Sequence, residues 1–148
     1  MAQEKSVCFA GHRNQWQISC SEETLTETIE KLINDGYTVF YDGGMGYFDY
    51  MCRNAVTKLK QKYDNVKLIK VLTYYHYKNE NNFLPNCFDE TIYPSIEEYY
   101  FKQKIIKRNE WIIDNCDVLV CNITETYKSG AYRTVKYAQK KKKQIIYI

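Results

Sequence analysis

Apolar residues fall along this chain in short solid runs separated by stretches of helical spacing. Ser6-Val7-Cys8-Phe9-Ala10 is a short, largely apolar run that ends at Gly11, the pattern of a strand covered on both faces. Ser21 then precedes Glu22, Glu23 and Thr24, and Leu25, Ile29, Leu32 and Ile33 recur every three to four positions up to Gly36. That spacing predicts an N-capped amphipathic helix with a glycine stop. Tyr37 to Tyr41 is β-branched and aromatic and runs into Gly43-Gly44-Met45-Gly46, so a strand feeds a glycine turn. Tyr47, Met51, Ala55, Val56 and Leu59 share one face of the helix that follows. A third strand is expected over Val66 to Leu72. The Tyr- and Asn-rich stretch after it, holding Pro85 and Pro94, reads as a long loop. Helical spacing returns from about Ser95 to Asn115, with Tyr99, Ile105, Ile106, Ile112 and Ile113 inward. Asp117 to Cys121 forms a fourth strand, Gly130 opens a last helix carrying Val135 and Ala138, and Gln144 to Ile148 is a fifth strand.

Strands that are apolar on both faces and separated by helices predict a three-layer α/β/α sandwich. Its five-stranded parallel sheet has the expected order 3-2-1-4-5. Such sheets take ligands outside the carboxyl ends of their strands, where the chain direction switches. Three loops lie there: Gly11 to Arg13, Gly43 to Gly46, and Thr124 to Gly130.

The 148 residues fit one domain spanning 1–148. Lys and Arg number 21 against 18 Asp and Glu, a formal charge of +3 that gives no reason to expect nucleic acid or an anionic membrane as partner. No stretch approaches the roughly 20 apolar residues of a membrane span, and the N-terminus lacks a signal peptide's apolar core, so a cytoplasmic protein is expected. The six cysteines include no Cys-x-x-Cys pair and read as free thiols, several of them buried. With only two histidines and no clustered ligands, no metal site and no resident cofactor are expected.

The candidate chemistry gathers at the three loops. Amides of Gly43, Gly44, Met45 and Gly46 at a helix N-terminus suit an anion, although a tight connection alone also explains the glycines. Arg13 suits a phosphate or carboxylate and His12 a hydrogen bond, unless Arg13 is merely solvated. Asp49 fits either the helix dipole or a ribose hydroxyl. Arg108 and Asn109 lie on the helix before the fourth strand, and Asn122 ends that strand. Ser129 and Gly130 repeat the small-residue turn at the last helix. Tyr74, Tyr75, His76 and Tyr77 suit stacking on a base, packing or a subunit contact.

Ala10-Gly11-His12-Arg13, Gly43-Gly44-Met45-Gly46 with Asp49, Phe101-Lys102-Gln103-Lys104 with Arg108-Asn109, Cys116-Asp117, Ser129-Gly130 and Tyr137-Ala138 occur in an order that resembles the SLOG superfamily. The likeness runs nearly end to end and is greatest to the small stand-alone proteins of Firmicutes and their phages. The superfamily is named for Smf/DprA and the Lonely Guy phosphoribohydrolases. The resemblance implies a Rossmann-like fold whose glycine loops bind nucleotides or ADP-ribose-like molecules, and a role in sensing or sequestering such a ligand. It also implies an oligomer of identical subunits. Gly43, Gly44 and Gly46 would form its phosphate loop and Ser129-Gly130 its second loop. The phosphoribohydrolases pair an Arg, matched by Arg108, with a Glu in the second glycine motif, where this chain has Arg133. Loss of that carboxylate argues against N-glycoside hydrolysis, and an added Arg suits anion binding. The chain also resembles nucleoside deoxyribosyltransferases, whose glutamate nucleophile falls where Tyr132 and Arg133 stand. The alternative to a binding protein is therefore an enzyme that hydrolyses or transfers a nucleotide N-glycosidic bond, with Asp49 as a displaced acid or nucleophile and Arg108 beside it. A DNA-associated role like that of Smf is disfavoured by the near-neutral charge.

Overall fold

A computed structural model of the chain describes residues 4–44, 46–74, 87–124 and 128–148. Met45, Tyr75, His76, Tyr77 and Pro85 lie outside the described residues, as do positions 125–127 of the third loop. Strand β1 (Lys5–Gly11) leads through a single 3₁₀ turn at Gln15–Gln17 to helix α1 (Glu22–Asn34). Then come β2 (Tyr37–Asp42), α2 (Tyr47–Lys60) and β3 (Lys67–Val71). The chain continues as β4 (Glu90–Ile92), α3 (Phe101–Asn115), β5 (Val118–Asn122), α4 (Gly130–Lys140) and β6 (Gln144–Tyr147).

All pairings are parallel and the sheet order is β4-β3-β2-β1-β5-β6. The expected five-strand order is present intact, with one more strand added outside β3, so the sheet is Rossmann-like with six strands rather than five. β4 escaped the apolar pattern because Glu90-Thr91-Ile92 is short and largely exposed. Polar contacts hold it instead. The Asp89 carboxylate accepts from the Leu68 amide at 2.8 Å and from Lys60 Nζ at 2.6 Å, and the Asp89 amide donates back to the Leu68 carbonyl at 2.8 Å.

Residues alternate along β1 between two cores, as the two-residue period of a strand requires. Val7 points with Phe40, Leu68 and Val120 into a cluster closed by Leu25 and Ile29 of α1 and by Phe48, Cys52 and Val56 of α2. Cys8 and Ala10 point with Leu119 and Cys121 toward Ile112 and Ile113 of α3 and Val135 and Ala138 of α4. Two helices cover each face.

Helix α3 begins at Phe101, not near Ser95. Ser95 has φ of 56°, a left-handed conformation that ends any helix, and Tyr100 is the extended N-cap whose amide donates to Gln103 Oε1 at 3.4 Å. Tyr99 therefore precedes the helix. Ile106, expected inward, is 40% exposed.

Candidate functional site

Tight packing brings the first two loops together. A Cβ on Gly11 would run into the Phe48 ring, so glycine there lets α2 close onto the end of β1. Gly46, with φ of 94°, turns the chain into α2. Its next two amides, those of Tyr47 and Phe48, donate to the Arg13 carbonyl at 2.8 Å and the His12 carbonyl at 3.4 Å. The Gly44 amide donates to Asp42 Oδ1 at 2.7 Å. These three amides bond within the fold, and Gly43, Gly44 and Gly46 are not among the residues that line the cleft.

The cleft itself, about 250 Å³, opens between α3 and α4 over the carboxyl end of β1. Ala10, Ile105, Ile112 and Ala131 give it an apolar side. His12, Arg13, Asp49, Arg108, Asn109 and Ser129 give it a polar rim, together with the Gly11 and Gly130 backbone. Eight residues named from the sequence thus meet here. Asn14, Gln17 and Thr134 also line it and carried no signal, being ordinary polar residues of a loop or helix face.

Arg108 is 3% exposed, although a helical Arg is ordinarily solvated. Its Nη1 donates to the Gly43 carbonyl at 2.7 Å and more distantly to the Val71 carbonyl at 3.4 Å, and Nε donates to Asn109 Oδ1 at 3.1 Å. The guanidinium thus ties α3 to the ends of β2 and β3. No described residue accepts from Nη2. Among the described residues the enclosed side-chain polar atoms without a hydrogen-bond partner are Thr38 Oγ1 and Asp42 Oδ2; Nη2 is not one of them, and Arg108 lines the cleft. Burial lowers the guanidinium's pKa, opposed by Asp49 and Asp42, yet an arginine stays charged at any ordinary pH.

His12 is 1% exposed. Its Nε2 accepts from the Thr124 amide at 2.9 Å, and its Nδ1 lies 3.1 Å from Ser129 Oγ. Ser129 caps α4 by accepting from the Tyr132 amide at 3.2 Å. Loss of hydration pulls the imidazole below its ordinary pKa, keeping it neutral near pH 7.

Behind the glycine turn lies a charged group the sequence reading missed. Asp42 is 2% exposed, 3.8 Å from Arg53, and Lys70 Nζ occupies the space a Cβ on Gly44 would need. Burial outweighs attraction here: it pushes the Asp42 carboxyl up and the Lys70 ammonium down. Both residues end or alternate along strands, a position with no sequence mark of chemistry.

Two candidates stand elsewhere. Asn122 Nδ2 donates to Ser19 Oγ at 2.9 Å and to the Ile148 carbonyl at 2.6 Å, while Oδ1 accepts from the Ser19 amide at 3.0 Å. The side chain is a buried bracket between the β1–α1 connection and the last residue. Arg133 is exposed on α4 and does not line the cleft.

No family model matches the sequence, and no curated protein does. Among solved structures the chain is similar to the Moco carrier protein of Chlamydomonas reinhardtii. One such structure superposes with a TM-score of 0.62 at 14% identity, covering 98% of this chain and 76% of that one. A second gives 0.58 at 16% identity with the same coverage, and a third 0.58 at 14% with 99% of this chain covered. At such identities the likeness establishes the Rossmann-like fold.

Proposed function

We propose that this chain binds a small molecule bearing an anionic group, a phosphorylated nucleoside or ADP-ribose-like ligand, in the cleft between α3 and α4. The observation that carries the reading is Arg108, a guanidinium buried at a cost that only bound partners offset, whose Nη2 edge lacks an acceptor within the described protein. Across the cleft, the N-terminus of α4 adds the Ser129 hydroxyl and partial positive charge. The apolar side formed by Ile105, Ile112 and Ala131 suits the body of a heterocycle. In this reading the glycine turn acts through Arg108, which the Gly43 carbonyl holds in place. The similar solved structures are named as carriers of the molybdenum cofactor, which agrees in kind with a protein that holds a small molecule.

Titration calorimetry with AMP, ADP-ribose, cyclic ADP-ribose and NAD, followed by chromatography of the recovered ligand, tests the proposal. Saturable heat with the ligand returned intact is expected. Free base in the recovered fraction would favour the second reading, N-glycoside cleavage, for which Asp49 on the cleft rim supplies a carboxylate. Asp49→Asn would then abolish product while sparing most of the affinity.

A further inference from the structure

Resting on the anion-binding reading above, we infer that His12 is the residue that fixes the polarity of the cleft at its α4 end: it forces Ser129 to act as a donor, so that end accepts an unprotonated oxyanion and rejects ammonium groups. Thr124 offers an amide N–H to Nε2 at 2.9 Å, so Nε2 carries no proton and the ring proton of the neutral imidazole sits on Nδ1. Nδ1–H then donates to Ser129 Oγ, 3.1 Å away. That oxygen also accepts the Tyr132 amide at 3.2 Å. Both lone pairs of the hydroxyl are occupied, no described residue accepts its single proton, and Ser129 lines the cleft. Arg108, buried and lining the same cleft with no described acceptor for Nη2, is an independent mark of an anion's place.

An acid response follows, opposite to what charge alone gives. A proton added at Nε2 faces the Thr124 N–H with a second donor, and Thr124 Oγ1, 3.5 Å from Nε2, is a distant acceptor for it, so the 2.9 Å link between the end of β5 and the α4 cap is lost although the site has become more positive. Arg13 is its chain neighbour, Asp49 of α2 and Arg108 of α3 share the cleft, and β5 and α4 face it with the non-titrating Thr124 and Ser129. Desolvation is the cause of its pKa shift.

Long-range ¹H–¹⁵N spectra of the imidazoles and equilibrium dialysis with labelled sulfate, a dianion at every pH used, test this. At about pH 8 a neutral Nδ1–H ring is expected, and sulfate affinity should fall about tenfold toward about pH 5 as the ring titrates. His12→Gln, which keeps an acceptor and a donor but does not titrate, should lose that pH dependence whatever its absolute affinity. A His12 ring with its proton on Nε2, sulfate affinity that holds or rises in acid, or a His12→Gln profile like the parent's would overturn the inference alone. Failure to retain sulfate at any pH overturns the anion-binding reading and this inference with it.

Discussion

Arg108 gives the Gly43 and Val71 carbonyls their donor from inside the protein, so a neutral replacement is felt twice. Arg108→Gln leaves at least one buried carbonyl unmet, at a cost of about 2 kcal/mol read from the urea midpoint, and removes the anion's cation. Loss of ligand heat with an unchanged midpoint would show that the bracket is not structural. Asp42 argues from the opposite sign. Burial raises its carboxyl pKa in the folded protein above the value in the unfolded chain, so the folded state binds the proton more tightly. This contribution is fully present below the unfolded value and is lost as pH rises through the raised folded one. Asp42→Asn keeps an acceptor for the Gly44 amide and carries no charge. Its stability should decline less than the parent's as pH rises through that window, and equal slopes in pH-dependent urea melts would refute it. At this scale the residues of the rim were legible: Gly11, His12, Arg13, Asp49, Arg108, Asn109, Ser129 and Gly130 meet where strand ends converge. What each does was not. Periodicity marks Arg108 as solvated and cannot see that Gly43 accepts from it. Nor can it see that Asn122 spends its whole amide on Ser19 and Ile148.

Elements defined by apolar pattern were readable and those defined by polar contacts were not. β5 is buried throughout, β1 and β3 over most of their length and β2 over half of it, and α1 and α2 carry their apolar faces at the spacing expected. β4 and the start of α3 depend on Asp89 and on the Ser95 and Tyr100 backbone, which leave no periodic trace. The Asp89 carboxylate joins the Leu68 amide to Lys60, so removing it frees the outer strand without touching the core. Asp89→Ala should speed amide hydrogen exchange at Leu68, and at Leu72, whose N–H reaches the Ile92 carbonyl at 2.8 Å. Amides of β1 and β5 at the centre of the sheet should keep the parent's protection. Faster exchange spread evenly over all strands would mean that β4 is part of one cooperative unit with the rest.

The six thiols report on the molecule as a whole, because the two helical layers divide them by access. Cys20 and Cys87 are half-buried, while Cys8, Cys52, Cys116 and Cys121 lie inside the two cores. Burial pushes the Cys8 and Cys52 thiols well up and that of Cys121 to about 12, so thiolate is scarce as well as enclosed. An alkylating reagent should therefore modify Cys20 and Cys87 in the native protein and reach the other four only when the molecule opens. The Cys8 position sharpens the measurement, since β1 carries both that thiol and, at its carboxyl end, the cleft. A ligand bound in the cleft stabilises the closed state by mass action, about 2.7 kcal/mol at a hundredfold excess over its dissociation constant. If the four enclosed thiols react through global unfolding, ligand at that excess slows them about a hundredfold together. Cys20 and Cys87 should react at their ligand-free rate. Mass spectrometry of the alkylated peptides reads all six at once. Slowing confined to Cys8, Cys116 and Cys121, with Cys52 unchanged, would show that α3 and α4 open separately from the layer formed by α1 and α2.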